Sequence, residues 1–171
     1  MNVRFLPAGD TAVIVEFGDR IDRLLSDRVL RLSARVRAEQ LPGVVETVPT
    51  FRSLMVHYNP LATDSASLTA ALENLLDGRH GAAQPVKLWR IAACYAASHA
   101  PDLAAVAQRT GLSAADVVRL HNSTRYHVYM LGFVPGFPYL GDLPAPLVLP
   151  RRAEPRVRVP AGSIAIATSM T

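Results

Sequence analysis

The first part of the chain shows two regular patterns of apolar and polar residues, one with the period of a strand and one with that of a helix. Val3–Leu6 and Thr11–Phe17 are strand-like, and the turn residues Pro7–Asp10 between them predict a hairpin. From Asp22 to Glu39 apolar residues recur at helical spacing and predict an amphipathic helix. Its apolar stripe consists of Leu25, Val29, Leu32 and Val36.

A second hairpin and a second helix follow. Val44–Val48 and Leu54–Tyr58 are predicted strands, and a helix capped by Ser65 or Ser67 is predicted to run through Leu76. The order hairpin, helix, hairpin, helix favours an antiparallel sheet with helices on one face, a small α+β layer. The polar, glycine-containing segment 77–81 predicts a linker, so we divide the chain into domains at 1–82 and 83–171.

The second domain is predicted to be richer in strands and turns. Val86–Tyr95 predicts a strand, with Trp89 and Cys94 in the core. Arg125–Phe133 and Ser163–Met170 predict two further strands.

Two short helices are predicted between these strands, at Asp102–Arg109 and Ser113–His121, and Ser113 with Asp116 matches a loose capping box. Because a glycine corner at Gly111 joins them, the pair resembles a helix-turn-helix. The second helix would bring the carboxylate of Asp116 towards DNA phosphates and base edges, for which it is unsuited. We therefore favour a structural helix pair and do not expect nucleic-acid binding.

Composition and charge narrow the class of protein. Of the 171 residues, 50% are hydrophobic, and the net charge of +4 comes from arginine because Lys87 is the one lysine. The single cysteine, Cys94, excludes an internal disulfide and a multi-cysteine metal site, which favours a reducing, cytoplasmic setting. No apolar run approaches a membrane span, and neither His57 nor His80 has a partner at metal-ligand spacing, so we expect neither membrane nor metal binding.

Glycine, proline and aromatic residues are most concentrated from His127 to Gly162. Prolines fix the backbone φ angle and glycines permit positive φ, so this segment predicts a surface of turns and short strands. Two motifs in it, GFVPGFPYLGDL (132–143) and PRRAEPRVRVPAGSIAIA (150–167), resemble a known family. They are similar to the B subunit of bacterial 5-oxoprolinase, whose family includes the sporulation-kinase inhibitor and proteins labelled allophanate hydrolase subunit 1.

The resemblance covers nearly the whole chain, from LPAGDTAVIVEFG (6–18) to RYHVYMLGF (125–133) and beyond. It departs from the family at Ala96-Ala97, where a glycine followed by Gly or Asp is usual, and at Thr168–Thr171, where Gly-Gly-Gln-Thr is usual. The later Pro-Gly-Gly-Trp region of the family is absent, so we expect the second domain to be incomplete at Thr171.

The resemblance implies a small N-terminal α/β (ferredoxin-like) domain followed by a cyclophilin-like β-barrel. It implies two partners, a homologous C subunit and an A subunit, in the ATP-dependent opening of 5-oxoproline to glutamate. Because the sequence has neither a phosphate-binding Gly-x-x-x-x-Gly-Lys-Ser/Thr loop nor a serine nucleophile elbow, we expect a partner to use the ATP and this chain to bind no cofactor. The alternatives are an inhibitor of a sensor histidine kinase and a component of allophanate hydrolase.

The chain carries side chains suited to a small carboxylate-bearing ring. Arginines can clamp a carboxylate, aromatic rings can wall a pocket, and backbone N–H groups at glycines can donate to an oxyanion. The candidate substrate-binding residues are Phe133, Gly136, Phe137, Tyr139, Arg151, Arg156, Gly162 and Ser163. His121 is the candidate acid or base. Structural roles remain open for the same residues, with the aromatics in a barrel core and His121 capping helix carbonyls.

Overall fold

The computed structural model describes residues 3–77 and 87–171. The chain divides into two compact units, Met1–Pro85 and Val86–Thr171, and each unit has its own hydrophobic core. Both units are mixed α/β with antiparallel sheets. The sequence-predicted boundary after residue 82 and all of the predicted linker except Asp77 lie outside the described residues.

The first unit is a four-stranded antiparallel sheet with two helices. Strand order is β1-β2-β4-β3, and the register places Val13 opposite Val56 and Val15 opposite Leu54. The pairing of β3 with β4 is irregular between Val44 and Glu46. The elements are β1 (Arg4–Pro7), β2 (Ala12–Glu16), α1 (Arg23–Glu39), β3 (Val44–Pro49), β4 (Ser53–Tyr58) and α2 (Ser65–Asp77).

The predicted apolar stripe of α1 is confirmed. Its four residues are buried against the sheet residues and against Leu68 and Leu72 of α2. The Asp22 carboxylate caps α1 by accepting the backbone N–H of Leu24 at 2.8 Å.

The capping residue predicted for α2 was wrong. The carboxylate of Asp64 accepts both the backbone N–H of Ser67 (2.8 Å) and its hydroxyl (3.0 Å), and these hydrogen bonds lower the pKa of Asp64. Asp64 therefore occupies the position before the helix, and Ser67 lies within its first turn.

The second unit contains α3 (Leu103–Thr110), α4 (Ala114–Ser123), β5 (His127–Leu131), β6 (Pro138–Gly141) and a 3-10 helix (Ala145–Leu147). Its core centres on Val117, Leu143 and Leu147. The predicted cap of α4 is confirmed, because the Ser113 hydroxyl accepts the N–H of Asp116 at 3.1 Å.

Strands β5 and β6 form a two-stranded antiparallel sheet, in which Gly141 lies very close to the ring of Tyr129. A Cβ atom at Gly141 would clash with the ring of Tyr129, which is buried and donates its hydroxyl to Asp142 at 3.0 Å. Glycine at 141 is therefore required by packing.

The strand predicted over 86–95 was wrong for the described residues. Residues 87–94 adopt no strand, Trp89 is 67% exposed, and Cys94 is also exposed. The apolar alternation was real, but a strand also needs a neighbouring strand, and residues 87–171 provide none to this segment.

The strand predicted over Ser163–Met170 was also wrong. The segment contains only the isolated bridges Leu149–Thr168 and Ala167–Met170. Beyond it, the N–H of Thr171 donates to the carbonyl of Leu140 at 3.0 Å, and the N–H of Leu140 donates back at 3.3 Å. The end of the described chain therefore lies alongside β6.

Candidate functional site

The turn between β5 and β6 is held by its own backbone. Gly132 N–H donates to the carbonyl of Phe137 (3.0 Å), Val134 N–H to that of Gly132 (2.8 Å), and Phe137 N–H to that of Val134 (3.1 Å). Gly136 has a φ of 79°, which glycine adopts without steric cost. The turn is thus a defined structure rather than an open loop.

This turn brings the three predicted aromatic residues together. The ring centroids of Phe133 and Phe137 are 5.7 Å apart and those of Phe137 and Tyr139 are 5.3 Å apart, both in edge-to-face geometry. We call these three rings the aromatic ladder. Phe133 is 85% exposed and Phe137 is 42% exposed, so the alternative of a core role is wrong for both phenylalanines.

Phe133 also has an unusual backbone conformation. Its φ of 65° lies in the left-handed region, which disfavours a residue with a side chain by about 1–2 kcal/mol. Together with Val134 and Gly136 it lines an open concavity of about 310 Å³. Backbone strain beside a concavity is common where a protein contacts a ligand or a partner.

His121 is buried, and its side chain contacts other residues than the aromatic ladder. Its Nδ1 is 2.7 Å from the hydroxyl of Tyr95, and its Nε2 is 3.0 Å from the hydroxyl of Thr171. The ring also packs at 5.3 Å from that of Tyr126, whose hydroxyl donates to the carbonyl of His121 at 3.0 Å. Because both ring nitrogens contact hydroxyls, the alternative of a carbonyl cap is wrong.

The chemistry of His121 follows from burial. Burial lowers the pKa of His121 below its usual value and raises the pKa of Tyr95. At pH 7 a neutral imidazole lies between two neutral hydroxyls, with one nitrogen donating and the other accepting. The row of hydrogen bonds ties three distant segments of the chain together.

The predicted arginines differ in their surroundings. Arg156 forms an ion pair with Asp102, and Nη1 of Arg152 lies 3.3 Å from the same carboxylate oxygen, Oδ1. Arg151 is exposed. Two arginines therefore converge on one internal carboxylate.

Gly162 and Ser163, the last two predicted site residues, form a turn in the exposed segment that follows the arginines. Gly162 has a φ of 77°, and the hydroxyl of Ser163 donates to the carbonyl of Pro160 at 2.7 Å. The hydroxyl thus stabilises the turn that carries it.

The described contacts bring the aromatic residues together and pair Arg156 with Asp102, but those shown for His121 go to Tyr95, Tyr126 and Thr171. The sequence prediction missed Tyr95 and Thr171, which lie 26 and 50 residues from His121. It also missed Asp102 and Arg152. The adjacent arginine pair at 151–152 was the available signal for Arg152, whereas Asp102 was taken only as a helix start.

Two further observations concern the described ranges, 3–77 and 87–171. They contain no group of three or more His, Cys, Asp or Glu side chains able to hold a metal ion. None of their helices is long and apolar enough to cross a membrane.

Comparison with known proteins identifies the family of this chain. Residues 3–171 match the family described as carboxyltransferase domain, subdomain C and D. The chain belongs to this family. Within the carboxyltransferase domain family, it is 37% identical to the B subunit of 5-oxoprolinase from Escherichia coli O157:H7, over 95% of this chain and 74% of that protein. It is 32% identical to the Bacillus subtilis (strain 168) protein of the same name, over 95% of this chain and 72% of that protein. The sequence-predicted family is confirmed.

Solved structures share the fold of this chain. The crystal structure of TTHA0988 matches with a TM-score of 0.82 at 32% identity, over 93% of this chain and 31% of that chain. This chain therefore spans about a third of that longer protein. The urea amidolyase of K. lactis matches with a TM-score of 0.56 at 21% identity, over 81% of this chain and 10% of that chain, which shows a shared fold.

Proposed function

We propose that this chain is a subunit of a 5-oxoprolinase-type complex and does not itself bind ATP. The observation that carries the proposal is the 37% identity to the B subunit of 5-oxoprolinase from Escherichia coli O157:H7 across 95% of the chain. In the proposed reaction, water and ATP convert 5-oxoproline to glutamate, ADP and phosphate. Because that relative is named as one subunit of an enzyme, its name supports the existence of partners. We propose that these are a homologous C subunit and an ATP-using A subunit, in the cytoplasm.

In this proposal the second unit contributes to a substrate site shared with the C subunit. The aromatic ladder offers exposed faces to a flat lactam ring, and Arg151 and Arg156 supply charge for its carboxylate. His121 accepts a proton from the attacking water and passes it to the lactam nitrogen, through the hydroxyl of Tyr95 or Thr171. Water opens the amide bond, so that its carbonyl becomes the second carboxylate of glutamate and its nitrogen the free amine.

The finer fold assignment is also a proposal. The order β2, α1, β3, β4, α2 follows the first five elements of the ferredoxin-like βαββαβ motif, and β1 pairs with β2 at one edge of the sheet. For the second unit, a cyclophilin-like barrel is supported by the antiparallel pairing of β5 with β6 and of Leu140 with Thr171. A crystal structure of the complex with the C subunit tests both assignments.

The test of function is reconstitution. The chain is purified with its C and A partners, and ATP hydrolysis is measured with and without 5-oxoproline. We expect hydrolysis that depends on 5-oxoproline, a higher KM for Phe137→Ala, and little change for Arg119→Gln, an exposed variant in α4. ATP hydrolysis that ignores 5-oxoproline but responds to allophanate would replace the proposed substrate, and no response to either would overturn the proposal.

A second candidate is docking to a sensor histidine kinase. The observation that favours it is the 85% exposure of Phe133, whose backbone is in the left-handed conformation, because aromatic residues are enriched at protein interfaces. Capture of a kinase dimerisation domain that is lost on Phe137→Ala, without loss of folding, would support it. Equal capture by wild type and this variant would exclude the aromatic ladder as the docking site.

A further inference from the structure

Asp102 immediately precedes α3 and does not cap it. An aspartate at this position ordinarily accepts an N–H from the second or third helical residue, here Ala104 or Ala105. The side chain of Asp102 makes no such hydrogen bond, and the backbone at Asp102 has φ −95° and ψ −5° rather than extended angles. Its carboxylate contacts Arg152 and Arg156 instead.

The two arginines converge on a single oxygen of this carboxylate. Nη1 of Arg152 is 3.3 Å from Oδ1 of Asp102, and Nη2 of Arg156 also contacts Oδ1. Guanidinium groups that converge in this way match a carboxylate, because their N–H donors are planar and always charged. The contact with Asp102 thus shows that the two arginines can bind a carboxylate.

The contact is open to exchange because all three side chains are accessible. They are 45% exposed for Asp102, 56% for Arg152 and 38% for Arg156. Ion pairs at such exposure are weak because water and salt screen them. A carboxylate from solution can therefore compete with Asp102 for the same donors.

A displaced Asp102 would have a second set of partners close by. The N–H groups of Ala104 and Ala105 lie in the first turn of α3, where a side-chain acceptor is favoured and the helix dipole favours a negative charge. Moving the carboxylate from the arginines to the helix start exchanges one favourable environment for another. The start of α3 is therefore a second environment that would favour the carboxylate once the backbone at Asp102 becomes extended.

We propose that Arg152 and Arg156 form an exchangeable carboxylate-binding site in which Asp102 is the internal occupant. An external carboxylate displaces Asp102 from the arginines, and Asp102 then caps α3. The identification of that ligand as 5-oxoproline rests on the proposed function. The exchange itself requires only a small carboxylate.

The test measures binding to the purified full chain, without partners, by nuclear magnetic resonance titration. The probes are 5-oxoproline and 2-pyrrolidinone, which has the same lactam ring but no carboxylate. We expect 5-oxoproline, and not 2-pyrrolidinone, to shift the guanidinium signals of Arg152 and Arg156. In the wild type it also shifts the amide signals of Ala104 and Ala105 as Asp102 moves onto them.

Variants separate exchange from simple structural support. Asp102→Asn removes the competing charge, keeps a capping side chain, and is expected to tighten carboxylate binding about three- to tenfold. Arg152→Gln and Arg156→Gln should each weaken it. Arg158→Gln, in the same exposed segment, should leave it unchanged. Weaker binding in Asp102→Asn would overturn the proposal, because Asp102 would then be needed to position the arginines.

Failure of this inference differs from failure of the proposed function. If the reconstituted complex hydrolyses ATP in response to 5-oxoproline with the same KM in Arg152→Gln and Arg156→Gln, the placement of Arg156 in the substrate site and of 5-oxoproline in the exchange site are both wrong, and the proposed reaction stands. Glutarate, a dicarboxylate, serves as a third probe. If it binds more tightly to Asp102→Asn than to the wild type and 5-oxoproline does not bind, the exchange site stands and 5-oxoproline is not its ligand. No carboxylate binding in either wild type or Asp102→Asn overturns the exchange site.

Discussion

Replacing His121 by alanine is expected to destabilise the second unit, with a local effect at Leu140 and Thr171. The variant removes the hydrogen bonds to Tyr95 (2.7 Å) and Thr171 (3.0 Å), each worth about 1 kcal/mol. It also removes the ring contacts to Tyr95 and Tyr126, at 5.9 Å and 5.3 Å, which contribute about 0.5–1.5 kcal/mol more. We expect the free energy of unfolding to fall by about 2.5–3.5 kcal/mol.

The assay combines urea unfolding, followed by circular dichroism, with hydrogen exchange at single amides. Exchange should accelerate at Leu140 and Thr171, whose backbones pair with each other, and should stay unchanged at the amides of β2 in the first unit. Thr171→Val removes one partner of His121 and preserves shape. If the stability losses of the two single variants add up to that of the double variant, the two side chains are not coupled.

The reasoning would be refuted by a loss of stability below about 0.5 kcal/mol in His121→Ala, which is the range of an ordinary surface substitution. It would equally be refuted by unchanged exchange at Leu140 and Thr171. Either result would mean that the end of the described chain is held against β6 by its backbone alone.

Three further predictions concern stability. Burial lowers the pKa of His121 in the folded state, so the contribution of His121 to stability is complete above about pH 6.5 and declines as the pH falls below that value. The variant His121→Gln should flatten this part of the pH profile of stability, which urea unfolding measures. Gly141→Ala should cost about 1–3 kcal/mol, because the new Cβ clashes with the buried ring of Tyr129; an unchanged urea midpoint would show that the ring moves freely. Leu72→Ala should cost about 2–5 kcal/mol in the first unit, since its side chain is fully buried, and thermal unfolding measures it.

The first unit could be predicted from its sequence because local patterns determine most of it. The stripe of α1 from Leu25 to Val36 has the helical period, and its residues are buried as expected. The cap of α2 was assigned to serine, although Asp64 lies one residue earlier and its carboxylate is the stronger acceptor. This error arose because several neighbouring residues, Asp64, Ser65 and Ser67, can all cap a helix.

The second unit was harder because its contacts join distant parts of the chain. The segment containing Trp89 has the alternation of a strand, but sequence alternation does not reveal whether a partner strand is present. In the same way, no local pattern links His121 to Thr171, 50 residues away. Phe133, Phe137 and Tyr139 could be grouped from the sequence because they lie within seven residues, although their edge-to-face contacts could not be predicted.

The four-stranded sheet of the first unit has consequences for solubility. Its outer strands, β1 and β3, expose backbone groups that can pair with another molecule and seed aggregation. Both outer strands end in proline, at Pro7 and Pro49, and β3 also carries the irregular register and the charge at Glu46. Each of these features obstructs the addition of a further strand. We therefore expect the edges of this sheet to resist strand-to-strand aggregation at high protein concentration.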